Sequence, residues 1–196
     1  MHRSATHLLA IVLMTTSVAA AAHTDSGAPG GFAAGFMHPL AGLDHLLAMV
    51  AVGLWGAALG TPLLWALPVV FPLLMVAGGV LAIGAIGLPA VEIGIALSVL
   101  LLGLAVAARW RAPVAAAVAL VALFGVLHGH AHGTELPDAA SPASYAAGFV
   151  LATGLLHLAG ILLGAMDKWR GGSLLVRCLG AGMAVAGGWM VTARLL

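Results

Sequence analysis

The chain has 196 residues, of which 63% are hydrophobic and only 7% are charged. A water-soluble domain carries roughly a quarter of its residues as charged side chains, so this composition excludes an ordinary soluble protein and indicates that lipid is the solvent. The formal net charge is only +1, and the few arginines and lysines lie in short loops rather than on one basic face, which excludes a nucleic-acid-binding protein.

Residues 1–22 have the features of a cleaved signal peptide. Arg3 precedes a short apolar stretch over residues 8–14, and small residues follow up to Ala22. We therefore expect signal peptidase to remove residues 1–22 and the mature chain to begin at or near His23. An uncleaved first helix is the alternative interpretation.

Six apolar segments follow the signal peptide, and most approach the roughly 20 residues that a helix needs to cross a bilayer. They cover residues 31–59, 63–86, 90–108, 113–129, 145–166 and 174–196. We predict an all-α bundle of about six transmembrane helices in a single domain, residues 23–196. The short connections at residues 60–62 and 87–89 predict that consecutive helices are antiparallel neighbours.

The first apolar segment is unusually long and contains a proline. A straight helix over residues 31–59 would extend for about 44 Å at 1.5 Å per residue, which exceeds the hydrocarbon thickness of about 30 Å. Pro39 has no backbone N–H to donate, and it disfavours helical geometry at His38. We therefore predict a first helix that is broken near His38-Pro39. Broken helices in transporters commonly line a cavity.

The distribution of basic residues predicts the orientation. A removed signal peptide places the loops after segments one, three and five in the cytoplasm, and these loops contain Arg109, Arg111, Lys168 and Arg170. The loops on the other side contain no lysine or arginine, and Arg194 near the C-terminus is the exception. This bias is typical of a bacterial inner-membrane protein. It predicts that the mature N-terminus and the C-terminus are both periplasmic.

Ionisable side chains inside a membrane are costly and by default mark a functional site. We define the first cluster as His38, Asp44 and His45. The two histidines are seven residues apart and would share one face of a continuous helix. Asp44 either ligates a metal directly or orients an imidazole by accepting its second N–H.

The second cluster, His128, His132 and Glu135, lies at the outer end of the fourth segment. His128 and His132 are four residues apart, which places both imidazoles on one helix face at a spacing suited to metal binding. Glu135 follows one turn later. His130 is expected to face elsewhere.

Three further candidates are dispersed. His157 lies halfway along the fifth segment, where it is either a ligand or a hydrogen-bonded packing residue. Glu92 begins the third segment and is either functional or simply solvated near the interface. His23 could bind metal first through its ring and amine if it is the mature terminus, although a free chain end is usually just disordered.

The predicted topology places the membrane-embedded candidates in the outer half of the membrane, with His157 the deepest. Imidazoles together with carboxylates suit a borderline divalent cation such as Ni²⁺ or Zn²⁺. The sequence therefore predicts a metal site. Its candidate ligands are His23, His38, Asp44, His45, Glu92, His128, His132, Glu135 and His157.

Three motifs resemble those of the HupE/UreJ family. They are His38-Pro-x-x-Gly-x-Asp44-His45-x-x-x-Met49, Phe124-x-x-x-His128-Gly-x-x-His132-Gly-x-Glu135, and Tyr145-x-x-Gly148-Phe149 with Ala152-Thr153 and His157. This resemblance covers nearly the whole mature chain. It implies a membrane protein associated with hydrogenase or urease maturation that acts as a permease for Ni²⁺, or for Co²⁺ in some members. It also implies that the motif histidines and Asp44 carry the transport.

We therefore expect a metal permease rather than an enzyme, with no catalytic residue and no permanent cofactor. Ni²⁺ would bind the second cluster, move to the first cluster and then pass His157. The expected partners are the divalent ion and the lipid bilayer, and the oligomeric state is left open. The alternatives are a transporter of Co²⁺ or Zn²⁺, a redox protein with haem between His45 and His157, and a zinc protease, which the missing HExxH motif disfavours.

Overall fold

The computed structural model describes residues 31–134 and 141–196, and in these ranges the chain is helical without strands. The helices are α1 (Phe32–Ala41), α2 (Leu43–Leu59), α3 (Leu63–Ile83), α4 (Val91–Ala107), α5 (Val114–Thr134), α6 (Pro142–Ala165) and α7 (Gly172–Leu195). A 3₁₀ turn at Met166–Lys168 follows α6. The predicted signal peptide and the candidate ligands His23 and Glu135 lie outside the described residues.

The length and apolar composition of the helices are those of a multi-pass membrane protein. Helices α3, α5, α6 and α7 are each long and apolar enough to cross a bilayer. Helices α1 and α2 meet the same criterion only as a bent pair, and α4 is a shorter apolar helix of 17 residues. The described part of the chain therefore contains four candidate spans, or five when α1 and α2 are counted as one.

The first segment bends at Gly42, not at the predicted His38-Pro39. Helices α1 and α2 meet at an angle of 84°, and Pro39 lies inside α1. Gly42 ends the helix because its backbone is extended, with φ −90° and ψ 118°. Its carbonyl oxygen then accepts the N–H of Leu46, which begins the hydrogen-bond ladder of α2. A proline near the end of a helix removes only one backbone hydrogen bond, so α1 continues through Pro39 to Ala41. The bend therefore lies three residues after Pro39.

Helix α2 is the centre of the bundle. All residues from 48 to 56 are buried, because the helix contacts α1, α3, α4, α6 and α7. A helix that is apolar around its whole circumference is expected in such a position. Its central place also brings the corner between α1 and α2 beside the ends of the surrounding helices.

The most extensive helix packing joins partners that are not consecutive in the chain, namely α3 with α5, α4 with α7 and α2 with α6. The prediction that consecutive helices are neighbours holds for α2 and α3, but α3 and α4 make at most minor contact. Helix α3 ends at Ile83 and α4 begins at Val91. The connection is therefore longer than the tight turn that the sequence suggested, and it allows the two helices to separate.

Glycines allow the paired helices to approach each other at backbone distance. A Cβ atom on Gly129 of α5 would overlap the backbone of Met75 in α3, and one on Gly160 of α6 would overlap the carbonyl of Val50 in α2. Gly103 of α4 faces the backbone of α7 in the same way. Close approach over small residues is how helices gain packing contacts in lipid, so these glycines determine which helices pair.

The two ends of the bundle differ in chemistry. At one end, which we call the basic end, Arg109 donates hydrogen bonds to Asp167 at 2.8 Å and to Ser173 at 2.6 Å. Trp55 lies at the same end and donates its indole N–H to the carbonyl of Trp110 at 3.0 Å. The opposite end, which we call the histidine end, contains the corner between α1 and α2, the C-terminal half of α5 and the beginning of α6.

Candidate metal site

The corner between α1 and α2 places the first cluster beside α5. His38 lies on the last turn of α1 and His45 on the first turn of α2. The 84° bend between them means that the two residues do not share the face of one helix. Their ring centroids are nevertheless 6.1 Å apart, because the bend folds α1 back towards the start of α2.

Helix α5 supplies His128 and His132 to the same place. The centroid of the His132 ring is 4.7 Å from that of His38 and 4.4 Å from that of His45. The His128 ring lies 5.0 Å from the His45 ring. The structure thus brings together four predicted ligands from α1, α2 and α5, which we call the histidine cluster: His38, His45, His128 and His132.

Two members of the histidine cluster have a defined tautomer. His45 Nδ1 is 2.7 Å from a carboxylate oxygen of Asp44, and His128 Nδ1 is 2.8 Å from the carbonyl oxygen of Phe124. Both partners can only accept a hydrogen bond, so Nδ1 carries a proton in each ring, and in a neutral imidazole the lone pair is then on Nε2. Both Nε2 atoms are buried and have no hydrogen-bond partner. An imidazole held in this way is prepared to bind a metal through Nε2.

Asp44 is engaged by both its oxygens. One oxygen accepts the ring N–H of His45 and also the backbone N–H of His45 at 2.9 Å. The other oxygen is 2.9 Å from Nη2 of Arg194, which also lies 3.2 Å from a carboxylate oxygen of Glu92. Asp44 was predicted either to ligate a metal or to orient an imidazole, and this geometry corresponds to the second role. It also places Glu92 next to the site through Arg194.

His157 lies apart from the histidine cluster, behind an aromatic ring. The Phe71 ring centroid is 5.3 Å from His128 on one side and 5.5 Å from His157 on the other. The carbonyl of Pro68 approaches His157 without forming a hydrogen bond of good geometry. Pro72, four residues further on, has no N–H to occupy this carbonyl. His157 is almost fully buried and follows the histidine cluster towards the basic end.

His130 does not join the histidine cluster, as the alternation along α5 predicted. Its Nε2 lies 2.9 Å from the carbonyl oxygen of Ile86 in the connection between α3 and α4. As the side chains of the described residues stand, no group of three or more histidine, cysteine, aspartate or glutamate residues could hold a metal ion. The rings of the histidine cluster instead pack mostly edge to face.

The candidate ligands predicted from the sequence do not include three residues that contact the site. Phe149 packs its ring 4.3 Å from that of His132, Phe71 separates His128 from His157, and Arg194 holds Asp44. Phe149 stands in one of the three motifs that resemble the HupE/UreJ family, whereas Phe71 had no signal that distinguished it from an ordinary packing residue. Arg194 had one, because it was the single basic residue that departed from the predicted bias towards the cytoplasmic side.

A lateral cavity of about 280 Å³ lies next to the histidine cluster, between α3, α5 and α6. Its wall is mainly apolar and includes Met75, Val80 and Phe149, and His132 contributes an imidazole to it. The cavity therefore leaves space beside the His132 ring.

The fold and the site together define a class: a multi-pass, all-helical membrane protein with a buried histidine cluster at one end of the bundle. The family model described as HupE / UreJ protein matches residues 11–190, and the chain belongs to this family. It is 45% identical over 157 residues to Protein HupE of Rhizobium leguminosarum bv. viciae, a match that covers 80% of this chain and 82% of that protein. No solved structure is significantly similar to the chain.

Membership of the HupE/UreJ family supports, in general terms, a hydrogenase or urease accessory role in nickel or cobalt transport. It also agrees with the expectation from the sequence that the chain is an accessory transport protein.

Proposed function

We propose that the chain is a permease of the bacterial inner membrane that carries Ni²⁺ inward to supply hydrogenase or urease maturation. In this proposal it crosses the membrane six times. The bent pair α1 and α2 forms one span, and α4 forms another, since 17 residues extend for about 26 Å. The histidine end and both termini of the mature chain are periplasmic, and the basic end is cytoplasmic.

The observation that carries this proposal is the pair of oriented imidazoles at the centre of the histidine cluster. His45 and His128 come from different helices, their rings are 5.0 Å apart, and each has a buried Nε2 atom without a partner. Neutral imidazole nitrogen favours borderline metals such as Ni²⁺ over Mg²⁺ or Ca²⁺. We infer that a metal ion binds these two nitrogens and that His132 and His38 rotate to complete its coordination.

The remaining candidates are given different roles. Asp44 orients His45, and Glu92 acts through Arg194, so neither carboxylate ligates the ion directly. His157 receives the ion after it passes Phe71, and Glu135 and His23 serve as outer ligands before the histidine cluster. An inward divalent cation gains about 4.6 kcal/mol per 100 mV of membrane potential, which suffices to drive uptake without a nucleotide-hydrolysing domain.

The test is uptake of radioactive nickel into liposomes that contain the purified protein, with a membrane potential that is negative inside. We expect His45→Gln and His128→Gln to lower the initial rate of uptake by at least the roughly 10- to 100-fold that the loss of a ligand's hydrogen-bonding partner costs. Competition by Co²⁺, Zn²⁺ and Cu⁺ in the same assay would give the selectivity order.

His130→Gln is the matched control, because His130 lies on the same helix as His128 but bonds to the Ile86 carbonyl outside the histidine cluster. It should transport at close to the normal rate. Unchanged uptake in the His45 and His128 variants, at equal protein content per liposome, would contradict the proposed function. Equal loss in all three variants would mean that His45 and His128 act through folding rather than through metal binding.

A further inference from the structure

Arg194 places a positive charge at the histidine end, and it is the exception to the predicted bias of basic residues towards the other end. Among the described residues, the other lysines and arginines lie towards the basic end of the bundle, whereas Arg194 lies on the last turn of α7. Its side chain is only 25% exposed. Its Nη2 atom is 2.9 Å from Oδ2 of Asp44 in α2 and 3.2 Å from Oε2 of Glu92 in α4. One guanidinium group therefore bridges two carboxylates on two other helices.

The space that this guanidinium occupies has the ligands of a hard-cation site. Oδ2 of Asp44 and Oε2 of Glu92 both lie within hydrogen-bond distance of the position that Arg194 Nη2 occupies. The side chain of Glu92 is 60% exposed, so an ion could reach this position from outside the bundle. Carboxylate oxygens are the preferred ligands of Mg²⁺, Ca²⁺ and Mn²⁺. Without Arg194, the oxygens of Asp44 and Glu92 would be uncompensated and could bind such an ion.

A hard cation bound at this point would disturb the histidine cluster. The other oxygen of Asp44 holds the Nδ1 proton of His45 at 2.7 Å, so a divalent ion on Asp44 would place its charge directly behind His45. Two cations on either side of one imidazole repel each other. Occupation of the carboxylates by Mg²⁺ would therefore weaken the binding of the transported ion at Nε2.

We propose that Arg194 is a specificity-determining residue, a tethered cation that fills the space between Asp44 and Glu92 and so excludes hard divalent cations from the site. This inference rests on the proposed function for its transport consequence. In this arrangement Asp44 remains a positioning residue for His45. The donors left for an incoming ion are imidazole nitrogens, which favour borderline metals.

The test replaces the charge and measures inhibition by hard cations. In liposomes, nickel uptake by the unmodified protein should resist Mg²⁺ and Mn²⁺, whereas Arg194→Gln should be inhibited at concentrations lower by at least about tenfold. Arg194→Lys keeps the positive charge and should keep most of the resistance. In the double variant Arg194→Gln with Glu92→Gln, one carboxylate is lost, so resistance should be largely restored.

A binding measurement separates this inference from the proposed function. Titration of Mn²⁺ into purified protein, followed by electron paramagnetic resonance, should detect a bound ion in Arg194→Gln and none at the same concentration in the unmodified protein. No nickel uptake by the unmodified protein would contradict the permease function alone. Equal Mn²⁺ binding in both proteins would overturn the role of Arg194 alone. The same conclusion would follow if Arg194→Lys lost as much resistance to Mg²⁺ and Mn²⁺ as Arg194→Gln.

A purely structural role for Arg194 predicts a different result. It predicts lower thermal stability and lower membrane content in Arg194→Gln, without any change in inhibition by Mg²⁺ or in Mn²⁺ binding, and this result would also overturn the inference. If Arg194→Gln does not accumulate in the membrane, Arg194→Met replaces it in the same measurements, because methionine keeps an apolar stem of similar length while it removes the charge.

Discussion

His45 shows how one residue is prepared for its role by its neighbour in the sequence. The carboxylate of Asp44 accepts both the ring N–H and the backbone N–H of His45, so the orientation of the ring is determined within two adjacent residues. His128 obtains the same tautomer in another way, from the carbonyl oxygen of Phe124 one helical turn earlier. Two independent hydrogen bonds thus leave the same nitrogen, Nε2, available on both rings.

This arrangement predicts that Asp44→Asn impairs transport although it preserves shape. The amide of asparagine can donate a hydrogen bond to Nδ1 of His45, and the ring proton then moves to Nε2 and removes the lone pair that would bind the metal. We expect initial nickel uptake to fall by roughly 10- to 100-fold, measured in liposomes at equal protein content.

Asp167→Asn is the control for that substitution, because Asp167 forms an ion pair with Arg109 at the basic end. It should leave the rate of uptake close to normal, since an exposed ion pair contributes at most about 1 kcal/mol. The same rate in Asp44→Asn as in the unmodified protein would show that the tautomer of His45 has no role in transport.

At the scale of elements, glycine surfaces decide which helices touch. Gly160 and Gly164 are four residues apart, a spacing typical of a packing face, and both glycines face α2. Gly180 and Ala184 likewise face Gly103 of α4. The partner of each face could not be predicted, because a small-residue surface accepts any helix of complementary shape.

Gly160→Ala should destabilise the bundle, since its new methyl group would overlap the carbonyl of Val50 and force α6 away from α2. Overpacking costs typically 1–3 kcal/mol, so we expect the apparent melting temperature in detergent to fall by roughly 5 °C. The measurement is the loss of the monodisperse peak in size-exclusion chromatography after heating.

Gly154→Ala is a matched control on the same helix, because a Cβ atom at Gly154 meets nothing within 4 Å. Alanine is the better helix former by about 1 kcal/mol, so this variant should melt at the same temperature or slightly higher. If both alanine variants melted at the same temperature, the close contact between α2 and α6 would not be a determinant of stability.

For the whole molecule, the two ends of the bundle define a direction across the membrane. The basic end contains the ion pair between Arg109 and Asp167, and the histidine end contains the candidate metal site. The connection between α3 and α4 lies at the histidine end, because Ile86 contacts His130. The connection between α2 and α3 lies at the basic end.

We predict that a cysteine at Gly87 is labelled from the periplasmic side and that a cysteine at Thr61 is not. Both positions are exposed, and each single cysteine would be introduced after Cys178→Ser removes the exposed native thiol. The measurement is modification of intact spheroplasts by a membrane-impermeant maleimide. Lysis should make Thr61→Cys reactive, and labelling of Thr61→Cys alone before lysis would reverse the proposed orientation.

The sequence by itself determined that the protein is helical, that it lies in a membrane and that nine residues are candidate ligands, among them His38, Asp44, His45, His128 and His132. These conclusions depend on local properties: the hydrophobicity of each segment and the cost of placing an ionisable group in lipid. They do not require knowledge of which helices are in contact. The predicted break at His38-Pro39 was also a local inference, and it missed the bend at Gly42 by three residues.

The tertiary structure alone decided how these residues meet. It paired α3 with α5 and α4 with α7, and it brought Arg194 to Asp44 across 150 residues of sequence. The physical reason is that helices in lipid associate through the shape of their packing surfaces rather than through hydrophobicity, and shape complementarity appears only when two surfaces are placed together. Arg194 is the exception to the basic bias of the sequence, and in the structure its guanidinium group bonds to the carboxylates of Asp44 and Glu92 beside the histidine cluster.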